Sequence, residues 1–131
     1  MKEILKEYVS YEDIVDSFEF DEIIVFLEDN DYQGDSFYLV KKNNEYGLLI
    51  FGWGSCSGCD ELAGINYSYN KTEELKVFQN QLWNSITWRN LNDMIDYVEN
   101  KDFSLEWYGS SYGVGRKFVA EVKKYFSIES F

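Results

Sequence analysis

IIVFLEDNDYQGDSFYLVKKNNEYGLLIFGW, residues 23–53, is the stretch that decides the fold. Residues 23–28 form a continuous apolar run rich in β-branched side chains and bounded by acids, which predicts a strand. Residues 29–35 hold the Asp, Asn and Gly of a turn. Residues 36–42 predict a second strand, with Phe37, Leu39 and Lys41 alternating against Tyr38 and Val40. Asn43-Asn44 is a tight-turn signal because Asn tolerates positive φ, and residues 46–53 complete a third strand. Three strands joined by short turns predict an antiparallel meander.

Helical patterns flank this core on both sides in sequence. Ser10 is placed to cap a short helix running to Phe18, with Asp13 at the capping-box position and Ile14 facing inward. An earlier helical turn fits residues 2–9, and a short helix fits residues 59–65. Thr72 opens an amphipathic pattern with Leu75, Phe78, Leu82 and Ile86 on one stripe. Thr87 opens another with Trp88, Leu91, Ile95 and Val98 inward. Residues 102–108 read as extended, and residues 112–126 as a final helix with Phe118, Val122 and Tyr125 inward and Arg116, Lys117, Lys123 and Lys124 outward. The predicted class is α+β: one small antiparallel meander with helices packed on one side, in a single domain spanning residues 1–131. A chain of 131 residues fits one domain, and 45% hydrophobic with 19% aromatic residues supplies its core. No apolar run is long enough to span a bilayer, and the charged N-terminus carries no secretory pattern. The expected location is therefore the cytoplasm.

The formal charge is −12, and it is unevenly distributed. Residues 1–65 carry 15 acids and 4 bases; residues 66–131 carry 9 acids and 8 bases. Ten of the acids lie between positions 12 and 35 with no Lys or Arg among them: Glu12, Asp13, Asp16, Glu19, Asp21, Glu22, Glu28, Asp29, Asp31 and Asp35. Such a surface repels nucleic acid and anionic membranes and attracts basic partners. It is also the composition of an ordinary, well-solvated acidic protein.

The second distinctive stretch is Gly52-Trp53-Gly54-Ser55-Cys56-Ser57-Gly58-Cys59-Asp60, which holds both cysteines. Redox chemistry would place such a pair after a strand and before a helix, whose N-terminus lowers a thiol pKa. Against it stand the acids Asp60 and Glu61 and a chain without proline, since thioredoxin-like sites add a cis-proline. A structural zinc site wants four ligands, and there is no His and no third Cys. The favoured reading is a structural loop in which Gly52, Gly54 and Gly58 let the backbone turn, Cys56 and Cys59 pack beneath Trp53, and Asp60 complements a helix dipole.

Together with Tyr32-Gln33-Gly34-Asp35 and Tyr46-Gly47, this stretch resembles a motif set in small phage and prophage proteins, over residues 32–62. The resemblance implies a setting, a phage or mobile element in a bacterial host cell, and transfers no catalytic residue. The charge is similar to that of phage anti-defence proteins that block restriction or CRISPR nucleases by imitating a nucleic-acid backbone.

Other chemistries are weakly signalled. Gly113-Val114-Gly115-Arg116-Lys117 lacks the full phosphate-binding pattern. Without His there is no Ser-His-Asp triad, and the calcium-loop echo at residues 29–35 lacks its closing Glu, Val40 standing there. The sequence thus predicts no catalytic residue, no metal and no cofactor. Its leading function is a binder and inhibitor of a basic host protein such as a nuclease, acting through the ten carboxylates without touching nucleic acid or membrane. The alternatives are a phage accessory or assembly protein, and a redox or metal module built on Cys56 and Cys59.

Overall fold

The Asn43-Asn44 signal is realised in full: in the computed structural model, which describes residues 1–30, 33–54, 60–100 and 114–127, these residues have φ of 53° and 64°. Two successive left-handed residues match the twist of the strands they join. The turn links β2 (Gly34–Lys42) to β3 (Glu45–Trp53), and β1 (Glu22–Glu28) pairs with the other edge of β2. All pairings are antiparallel and the order is β1-β2-β3, the expected meander. The β1–β2 register slips between Ile23 and Val25, a bulge near the start of the edge strand.

Five helices complete the described residues: α1 (Tyr11–Ser17), α2 (Glu61–Asn66), α3 (Lys71–Asn84), α4 (Leu91–Glu99) and α5 (Val114–Tyr125). The class is α+β, as expected. Ser10 caps α1 with a complete capping box: its side chain accepts from the Asp13 N–H, and the Asp13 carboxylate accepts from the Ser10 N–H. Residues 2–9 form no helical turn. They are held instead by side chains of the body, Asn66 exchanging two 2.8 Å hydrogen bonds with the Val9 main chain. The cap of α4 is Asn90 rather than Thr87, because Arg89 is drawn into a bridge with Tyr46 through hydrogen bonds of 2.7 and 2.9 Å. That bridge lays Ile86 and Trp88 against Gly47, where a Cβ would sit 2.4 Å from Ile86. Tyr125, expected inward, is 43% exposed, while Phe118 and Val122 are buried. The predicted segment 102–108 lies outside the described residues.

The expectation that helices cover one side of the sheet is corrected: they cover both. Successive residues of β2 belong to different cores. Tyr38 and Val40, with Leu49 and Phe51, pack on Ile14 of α1 and its C-cap Phe18, Leu62 and Ile65 of α2, and Leu75 and Phe78 of α3. Phe37 and Leu39, with Tyr46, pack on Met94 and Val98 of α4 and on Phe118, Val119 and Val122 of α5. Residues 36–40 are all buried, so β2 has no solvent face. Unbroken apolar runs such as residues 37–40 and 48–51 are what two-sided burial demands of a central strand.

Candidate functional site

Among the described residues, the face carrying α1, α2 and α3 is only partly roofed. Val15 of α1 is buried against the sheet, whereas Ile23 and Phe26 of β1 stay 44% and 46% exposed. The space between α1 and β1 is an open cleft of about 930 Å³. Along and beneath it runs a series of stacked rings, its floor, assembled from four elements. Phe26 stacks on its cross-strand partner Tyr38 at 4.5 Å, Tyr38 on Phe51 at 5.9 Å, and Phe51 on Tyr11 of α1 at 5.0 Å, all within about 21° of parallel.

Carboxylates stand on either side of this floor. Glu12 and Asp16 lie four residues apart on α1, hence on one helix face, and Glu28 rises from β1 across the gap. The Tyr38 hydroxyl registers their combined field: burial, then Glu28, Glu12 and Asp16, push its pKa up to about 12. Ser36 accepts from the Trp53 indole N–H at 3.0 Å and donates to Glu28 at 3.4 Å, which orients that wall.

Asp60 holds the far end of the cleft together. One carboxylate oxygen accepts from the Tyr11 hydroxyl at 2.6 Å and the Gly54 N–H at 2.8 Å. The other accepts from the Ala63 N–H at 2.8 Å as the N-cap of α2. The expected dipole role is thus a full cap that also ties β3 and α1 to α2. Burial, followed by the bond to Asp60, raises the Tyr11 hydroxyl pKa well above its ordinary value.

The other carboxylates of the acidic stretch are employed elsewhere. Asp13 pairs with Lys6 at 2.7 Å and Glu19 with Lys2 at 3.7 Å. Asp21 accepts from the Asn43 N–H, and Asp29 from the Asp35 N–H, both at 2.8 Å. Gly34 makes the latter approach possible, since a Cβ there would fall 2.5 Å from that of Asp29. Burial, then Asp29, raises the Asp35 carboxyl pKa. Glu22 lies opposite Lys41 in the strand register, at the start of β1. The structure therefore brings Glu12, Asp16 and Glu28 together and disperses the rest; Asp31, Gly58, Cys56 and Cys59 lie outside the described residues. Gly52 and Trp53 are the last two residues of β3, opposite Asp35 and Gly34, so Gly52 is a paired strand residue and not a turn glycine, and Gly54 donates to Asp60. Among the described residues no group of three or more acidic or sulfur ligands is placed to hold a metal ion, and no helix is long and apolar enough to cross a membrane. At the basic end, Gly115 is buried inside α5 and Gly113 lies outside the described residues.

The Asp13–Lys6 pair has a pH signature. The hydrogen bond from Lys6, then that from the Ser10 N–H, lowers the Asp13 carboxyl pKa. A depressed carboxyl contributes stability above its unfolded value and loses it as pH falls through its folded value. Asp13→Asn is therefore expected to lower the melting temperature at neutral pH, with the deficit shrinking on acidification through the carboxylate range. A deficit independent of pH would show that charge plays no part.

Compared with known proteins, the chain matches no family model, no curated protein and no solved structure.

Proposed function

We propose that this chain is a binding module that captures a basic protein in its acid-walled aromatic cleft. The carrying observation is the convergence of Glu12, Asp16 and Glu28 around the exposed ring of Phe26. Among the described residues two ion pairs occupy acids of this stretch, Lys2–Glu19 and Lys6–Asp13, and neither involves the three of the cleft. Carboxylates above an aromatic floor suit Arg and Lys, whose charge they neutralise and whose flat or methylene portions lie on the rings. The resemblance at residues 32–62 supports the setting: a phage or mobile-element product in the bacterial cytoplasm, acting without catalysis on a nucleic-acid-binding host protein such as a nuclease. Such a target presents a basic groove, and steering by net charge −12 speeds the encounter.

The test compares two triple neutralisations of equal charge. One changes Glu12→Gln, Asp16→Asn and Glu28→Gln; the other changes Glu73→Gln, Asp96→Asn and Glu99→Gln, all exposed and away from the cleft. The probe is a fluorescent oligo-arginine peptide titrated at low and physiological salt. The cleft triple is expected to weaken binding at least ~10-fold, roughly 1.4 kcal/mol, and the control triple far less. Equal losses from both would reduce the interaction to bulk charge and defeat the proposal.

A further inference from the structure

The two edges of the sheet are not equivalent. The outer edge of β3 is engaged where Tyr46 exchanges hydrogen bonds with Arg89. No strand lies beyond β1 among the described residues, where the sheet order is β1-β2-β3. The Asp29 N–H donates to the Asp35 carbonyl at 3.0 Å, and the same register pairs Leu27 with Phe37 and Val25 with Leu39. Hydrogen-bonded positions alternate along an antiparallel pair, so the main-chain N–H and C=O of Phe26 and Glu28 point away from β2. The bulge before Val25 leaves residues 25–28 as the regular stretch of this edge, with no strand partner on its outer side among the described residues.

From this geometry we infer that the partner enters as an extended basic strand added to the outer edge of β1. The inference rests on the basic-partner reading and specifies the form in which that partner arrives. Asp21, Glu22, Glu28 and Asp29 bracket the edge, and no Lys or Arg occurs between positions 12 and 35. A second copy of this chain would set acid against acid there, whereas a strand carrying alternate Arg residues brings complementary charge. On the cleft face that strand would lie beside Ile23 and Phe26, the exposed apolar side chains of β1, and place its cations near Glu28. Main-chain bonds to Phe26 and Glu28 would supply affinity, and the cleft would supply selectivity for basic side chains.

The experiment uses the full chain and a peptide of roughly eight residues alternating Arg and Val. Two further peptides are N-methylated, one at every Arg and the other at every Val. Successive N–H groups of a strand point to opposite edges, so only one methylated peptide is expected to lose binding, at least ~10-fold, while the other binds like the parent. Amide exchange of Phe26 and Glu28 is expected to slow in the complex. Binding that both methylations leave unchanged, without slowed exchange at those amides, overturns strand addition while leaving the basic-partner reading intact. Failure of the peptide where oligo-arginine binds overturns it in the same way, and failure of both probes overturns both readings. Self-association of the free chain that protects the same two amides would assign the edge to a second copy and also overturn it.

Discussion

Asp60→Ala is expected to cost the fold about 3 kcal/mol, far more than a typical surface substitution. The residue is 8% exposed, and its carboxylate is the acceptor for Tyr11, Gly54 and Ala63. Losing an N-cap oxygen costs about 1 kcal/mol. Leaving a part-buried hydroxyl and amide without an acceptor adds roughly 1–3 kcal/mol. Tyr11→Phe removes only one of the three bonds and is expected to cost about 1 kcal/mol. Because Tyr11 and Asp60 form one network, the double variant should lose less than the sum. Urea unfolding followed by tryptophan fluorescence measures all three. An Asp60→Ala loss no larger than that of Tyr11→Phe would mean the carboxylate does not join β3, α1 and α2.

Phe37→Ala is expected to cost about 3–5 kcal/mol, the range for emptying a buried aromatic site. Its side chain is fully buried and lies 5.3 Å from the ring of Phe118 on α5. It belongs to the central strand, where neighbours on both sides limit collapse into the cavity. Phe26→Ala, on the adjacent strand but 46% exposed, should cost much less in the same unfolding assay. It should nevertheless weaken the oligo-arginine peptide, since it removes the exposed end of the stacked floor. Comparable stability losses for the two phenylalanines would contradict the division between a sealed layer and an open cleft.

Turns and caps are legible in the sequence because they are written in local chemistry. The Asn43-Asn44 turn and the Ser10–Asp13 capping box each need only a few consecutive residues to be recognised. The continuous apolar run at residues 37–40 already contains the two-sided burial, which strict alternation, the signature of a half-buried strand, does not express. The start of α4 is not legible locally because a distant strand residue, Tyr46, claims Arg89. The candidate site was legible in part. Glu12 and Asp16 share a helix face by spacing, whereas Glu28 joins them only through the fold. The stacked rings were hidden more deeply: Phe26, Tyr38, Phe51 and Tyr11 lie on four elements, and their contact depends on a register altered by the bulge. Charge counting gave the sign of the region but could not say which acids were committed to Lys2, Lys6 or turn amides.

β2 contributes Tyr38 and Val40 to one layer and Phe37 and Leu39 to the other, so neither layer has a strand of its own at its centre. The two layers cannot come apart independently, because withdrawing β2 dismantles both at once. Heating should therefore melt them in a single step, and damage to the sealed layer should be felt at the mouth of the cleft on the opposite face.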